Sequence, residues 1–135
     1  MTPAPSAIHA PAVAQVACDL TRLLACIRAC EEDKRHPIGK DGERSPWQLT
    51  QETWIDTTSL PWDDALDTAK AYSVARTHLM LCKYELLRDH FEVSAYSLAL
   101  CFIAGHSGYV NRKWLSPRRL DRAQRIANLY NDRTP

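Results

Sequence analysis

A chain of 135 residues, 45% hydrophobic and 24% charged, has room for one compact domain with its own core and calls for no second. Seventeen basic against sixteen acidic residues leave a net charge of +1, which excludes a whole-molecule field drawing the protein to nucleic acid or an anionic membrane. No run approaches the roughly 18 uninterrupted apolar residues of a membrane span, so a soluble domain without a span is expected.

Pro3, Pro5 and Pro11 break any helix at the start and predict a flexible arm over residues 1–11, with the domain over 12–135. The opening has no basic start followed by a continuous apolar stretch, so it does not read as a secretory leader. Val13, Val16, Leu20, Leu23, Leu24 and Ile27 recur at three- and four-residue steps. That spacing predicts an amphipathic helix ending near Cys30 or Glu31. Pro37, Gly39, Gly42 and Pro46, set among charges, then predict a long ordered loop, and long loops inside compact domains are usually functional.

A short helix over TQETWID follows, anchored by Trp54. Pro61 suits a first helical position, and Asp63 and Asp64 suit the positive end of a long helix running to Asp89, with a break near Tyr72 or Ser73. Ser94 caps a helix that is apolar nearly all round, hence central, and that stops at the Gly105 to Gly108 turn. Ser116 and Pro117 are a cap and first-turn pair for a closing helix with Leu120, Ala123, Ile126 and Leu129 on its core face. No stretch alternates as a strand, so the fold class is all-α.

The five cysteines, Cys18, Cys26, Cys30, Cys82 and Cys101, are odd in number and form no CxxC pair; they read as small core residues rather than a zinc knuckle or a disulfide framework. Cys26 and Cys30 share a helical face, but no histidine follows at ligand spacing, so neither metal nor cofactor is expected. Arg118, Arg119, Arg122 and Arg125 lack interleaved aromatics and read as a solvated face, not a nucleic-acid site. Asp41, Glu43 and Asp56 read as loop-solvating charges. Among the histidines, His36 and His106 flank the region where a groove would lie.

The informative arrangement is Glu31 and Glu32, which close the first helix directly before the Gly/Pro loop and its Ser45-Pro46-Trp47-Gln48 end. A carboxylate on the last turn meets the negative end of the helix dipole, and burial beside a tryptophan works in the same direction. Both favour the protonated form that general-acid cleavage of a glycosidic bond requires. On spacing alone, two adjacent glutamates at a helix end are more often solvated surface.

The run LLACIRACEEDKRHPIGKDGERSPWQLTQETW resembles the lysozyme-like fold of the soluble lytic transglycosylases and goose-type lysozymes. Their pattern is an apolar helix, a catalytic Glu, a glycine-containing loop and a Gly-Pro-Tyr-Gln-like turn before a short helix. AYSLALCFIAGHSGYV is similar to the family's Ala-rich helix ending in Asn-Ala-Gly, and DRAQRIANLYND to its closing helix; the similarity runs in order over residues 13–132. It implies that Glu31 is the acid/base, with Glu32 its rival. Gln48, Trp47, Ser45, Ile103, Tyr109 and Arg122 would line a groove between the loop 32–48 and the turn 103–111. The implied partner is the peptidoglycan glycan strand, met by a monomer in the cell envelope or outside the cell, with a non-catalytic glycan- or protein-binding module as the alternative. Four positions depart from the pattern. Glu32 stands where Ser is usual, Ser45 where Gly is usual, Ile103 where Asn is usual, and Arg122 where Tyr is usual. Arg122 could pair with Glu31 and hold it ionised, which a proton donor does not want.

Overall fold

Asp19 accepts a hydrogen bond from the Arg22 amide and starts helix α1, Leu20–Glu31. The computed structural model describes residues 18–36 and 38–132; the arm 1–11, Val13, Val16 and Pro37 lie outside the described residues. Helix α1 ends at Glu31, where the loop begins, and turns Leu23, Leu24, Cys26 and Ile27 inward. Thr50 caps α2, Gln51–Thr57, which buries Trp54. Helix α3 runs over Thr68–Arg88, α4 over Ala95–Val110 and α5 over Pro117–Asn131. Among the described residues there is no strand, only an isolated antiparallel bridge between Arg44 and Leu49. The domain is all-α, and no described helix is long and apolar enough to cross a membrane.

Helix α4 is the centre of the packing: Ala95 and every residue from Ser97 to Phe102 are buried. Its start is fixed by a capping box in which Ser94 and Ser97 satisfy each other's backbone amides. Ala71, Ala75, Ala99, Ala123 and Ala127 are all buried, and small side chains let neighbouring helices approach closely. The two ends of the domain are tied together: the Asp19 amide donates to the Tyr130 hydroxyl at 2.7 Å, and the Arg22 guanidinium lies 4.6 Å from the Tyr130 ring.

Four local expectations are corrected. Pro61 is the cap of a separate 3-10 turn, Trp62–Leu66, and the long helix begins only after Asp67, whose side chain accepts from the Lys70 amide. The break therefore falls at Asp67, and α3 runs unbroken past Tyr72 and Ser73. Helix α4 does not stop at Gly105 but breaks there, at φ 78° and ψ 171°, and resumes to Val110. That backbone region is open essentially only to glycine. On α5 the buried stripe is Ala123, Ile126, Ala127 and Tyr130, while Leu129 is exposed. Ala123, Ile126, Ala127 and Tyr130 fall on one face of the helix, whereas Leu129 is turned about 100° away from Tyr130.

His78 on α3 is partly buried, and its Nε2 hydrogen-bonds the Phe102 carbonyl at 3.0 Å. Because a carbonyl only accepts, Nε2 carries the proton and the ring can stay neutral. Burial is the main cause that pushes its pKa below the ordinary 6.5, and the Phe102 bond opposes it. The unfolded chain therefore takes up the proton first, and folding stability falls as pH drops below about 6.5. We expect His78→Gln, whose amide can still donate to Phe102, to flatten that part of a urea-denaturation pH profile. An unchanged slope would show that His78 does not set it.

Candidate functional site

Glu31 is placed by the last turn of α1, and its side chain is only 7% exposed. Arg122, one turn into α5, reaches across to it: Nε donates to Oε1 at 3.1 Å and to Oε2 at 3.4 Å, and a terminal nitrogen makes a further close bond to Oε1. The pair closes one side of a groove of about 410 Å³ whose other wall is the loop bearing Lys40, Asp41, Glu43 and Gln48. Five cations, Lys40, Arg118, Arg119, Arg122 and Arg125, face three carboxylates, Glu31, Asp41 and Glu43. The basic stripe on α5 and the acidic loop residues, expected to be plain solvated charge, thus line the cleft. Cys30 also lines it, but burial first and the Glu31 charge second push its thiol up. It is a poor thiolate nucleophile.

The loop reaches this position through a tight turn. Arg44 and Leu49 exchange backbone hydrogen bonds of 2.9 and 2.8 Å, and between them Ser45 and Gln48 take positive φ, 77° and 53°. Ser45 is a strained choice there, because left-handed backbone favours glycine. Its hydroxyl offsets part of the strain by accepting from the Trp47 amide at 3.2 Å, and its carbonyl accepts from the Gln48 side chain at 2.9 Å. At Gly39 a Cβ would press on the ends of the Gln48 and Glu43 side chains, which would have to shift to make room for it. The Gly39 amide donates to the Glu43 carbonyl at 2.7 Å.

Only part of the expected residue set is assembled here. Glu31, Gln48 and Arg122 share the groove. Glu32 turns away: it pairs with Arg28 at 3.1 Å and lines a smaller cavity of about 220 Å³ with Ser45 and Pro46. Trp47 is not available to stack on a sugar. It is 3% exposed, its ring nitrogen donates to the Leu24 carbonyl at 3.1 Å, and it packs edge-on against Tyr72. Tyr109 is likewise buried, edge-on to Phe91. Ile103 and His106 belong to a different cavity, of about 690 Å³, between α3 and the bent part of α4. The turn 103–111 is therefore not a wall of the Glu31 groove; the first turns of α5 take that place. His36 pairs with Asp33 on the surface, and Asp56 faces the larger cavity.

Two features escaped the reading from spacing. One is the role of the α5 arginines, which only the fold brings opposite the loop. The other is a cluster of Glu85, Cys101 and His106, whose ligand atoms lie within 4.8 Å of one another; no sequence motif links them. Comparison with protein-family models, with curated proteins and with solved structures finds no match for this chain.

Proposed function

We propose that this domain engages the glycan strand of peptidoglycan in the groove between α1, the loop 40–48 and α5, and cleaves it with Glu31 as the acid/base. The observation that carries the reading is a shielded glutamate at the end of α1 sharing a polar cleft with Gln48. The order of parts supports it as well: the apolar helix, the glutamate, the glycine-bearing loop, the left-handed turn at Ser45 and the glycine break in the Ala-rich helix follow the resembled lysozyme-like pattern. In the proposed reaction the Glu31 acid protonates the glycosidic oxygen as the bond breaks. The resulting carboxylate then takes the proton of the attacking hydroxyl, either a muramyl hydroxyl or water.

Arg122 holds the Glu31 carboxyl group through its side-chain contacts, and an acid/base role requires that pair to open. On this reading the strand draws Arg122 onto one of its own anionic groups and frees the Glu31 side chain to face the glycosidic oxygen. The same pair is the observation that favours the second reading, a non-catalytic module that binds glycan through the cationic groove.

Glu31→Gln is expected to leave the far-UV spectrum intact and to lower release of soluble fragments from purified peptidoglycan at least a hundredfold, roughly the weight of a lost general acid. Anhydro ends on the wild-type products mark a transglycosylase and reducing ends a hydrolase. Pull-down on insoluble wall without any released fragment supports the binding module instead. Full activity in the variant removes Glu31 from the chemistry.

A further inference from the structure

Around the Gly105 break, three donor side chains from α3 and α4 come together. Cys101 lies on the core part of α4 and is fully buried, His106 is the first residue after the Gly105 break, and Glu85 comes from the last turns of α3. In an unbroken helix, residues five apart point about 140° away from one another, so Cys101 and His106 would not meet. The glycine-only backbone at Gly105 returns His106 to the side that Cys101 occupies. The three side chains bring one carboxylate oxygen, one sulfur and one imidazole nitrogen within 4.8 Å of each other.

The imidazole is already oriented. Its Nε2 is held by Asp89 at 2.7 Å, while Nδ1 is buried and, among the described atoms, has no hydrogen-bond partner. A buried ring nitrogen left without a partner is costly. A carboxylate fixing one imidazole nitrogen so that the other can ligate is the usual outer support of a metal-bound histidine. Cys82, also buried, lies beside Cys101 in the core.

We propose that Glu85 Oε, Cys101 Sγ and His106 Nδ1 bind a divalent transition-metal ion of the zinc class, with Asp89 as the orienting partner of His106. Mixed sulfur, nitrogen and oxygen donors suit zinc or cobalt and disfavour calcium or magnesium. Ligand atoms around tetrahedral zinc stand about 3.3–3.8 Å apart, so binding draws the three together by about 1 Å. The flexible Glu85 side chain can supply most of that movement. Loading exchanges the Cys101 proton for the ion and releases it to solvent. Glu85 and His106 both lie on the wall of the 690 Å³ cavity, so the fourth position opens toward it and would hold water or an oxygen-bearing ligand. This departs from the expectation, drawn from cysteine spacing, that the chain takes no metal.

Titrating the reduced full-length chain with Co2+ tests the site. The expected result is a near-ultraviolet sulfur-to-cobalt charge-transfer band that saturates at one ion per chain and is displaced by Zn2+. Glu85→Gln and His106→Gln should each weaken binding at least tenfold while melting cooperatively; the glutamine at 106 can still donate to Asp89. Asp89→Asn should weaken it about 10- to 100-fold, and Cys101→Ser should remove the band. Because Cys101 is in the core and its variant can fail to fold, the two cavity-wall variants decide the matter. No band, or a band of unchanged affinity in both Glu85→Gln and His106→Gln, places any bound ion on other thiols and overturns the proposal.

Discussion

Arg122→Leu should lower the stability of the domain by about 3 kcal/mol near neutral pH, because it removes the cation and leaves Glu31 shielded from water without a partner. The Glu31 side chain is 7% exposed and that of Arg122 24%, so the carboxylate cannot recover its hydration by a small movement, whereas the arginine can. The asymmetry gives the experiment its second arm. Glu31→Gln alone leaves only a partly wetted guanidinium and is expected to be mild. The double variant Glu31→Gln with Arg122→Leu should recover most of the loss, since no charge remains to be stranded. Urea denaturation of the three variants completes the cycle. If Arg122→Leu stays within about 0.5 kcal/mol of wild type, the pair behaves as a surface salt bridge, and its place as the closed side of the groove is lost.

Trp54→Ala should cost about 3–5 kcal/mol, as truncation of large core aromatics does. Trp54 is fully buried, its ring nitrogen donates to the Leu60 carbonyl at 2.8 Å, and it packs edge-on to Trp62 with centroids 5.9 Å apart. One side chain thus fastens α2, the connection after it and the 3-10 turn Trp62–Leu66. Arg44, at the base of the Ser45 turn, reaches the same Trp62, with its guanidinium 4.5 Å from the ring and a 3.1 Å bond to the Trp62 carbonyl. Loosening Trp54 should therefore also loosen the loop that carries Gln48. In hydrogen exchange the Arg44 and Leu49 amides are expected to lose protection in Trp54→Ala along with α2. Retained protection at those two amides would show that the loop stands independently of this anchor.

The helices were readable because their ends carry chemistry that acts locally. Ser94 and the Ser116-Pro117 pair mark their helices within a single turn of chain. The end of α1 was legible from the composition shift after Glu31. Asp67 was not seen as a boundary because Pro61 offers an equally good start six residues earlier, and the apolar residues between them read as continuous helix. Leu129 was placed inside on residue type alone, although the phase set by Ala123 and Ile126 selects Tyr130.

Within the site, Glu31, Gln48 and Arg122 line one groove, which required the fold and could not be read from spacing. Trp47 was expected in the groove because it adjoins Gln48 in sequence. The positive φ at Ser45 turns the chain so that the ring enters the core instead. Glu85, Cys101 and His106 were invisible for a different reason. Their spacings of 16 and 5 residues fit no ligand motif, and it takes the bend at Gly105 and the packing of α3 on α4 to bring them together.

The Glu31–Arg122 bond joins residues 91 apart in sequence. A ribosome making this chain completes α1 and the loop long before α5 emerges, while α3 and α4, close in sequence, can pair in the interval. During that time Glu31 has water as its partner and the cleft has only one bank. The groove is thus among the last parts of the molecule to exist, and any chain cut short before residue 122 would carry the carboxylate without ever having the cleft.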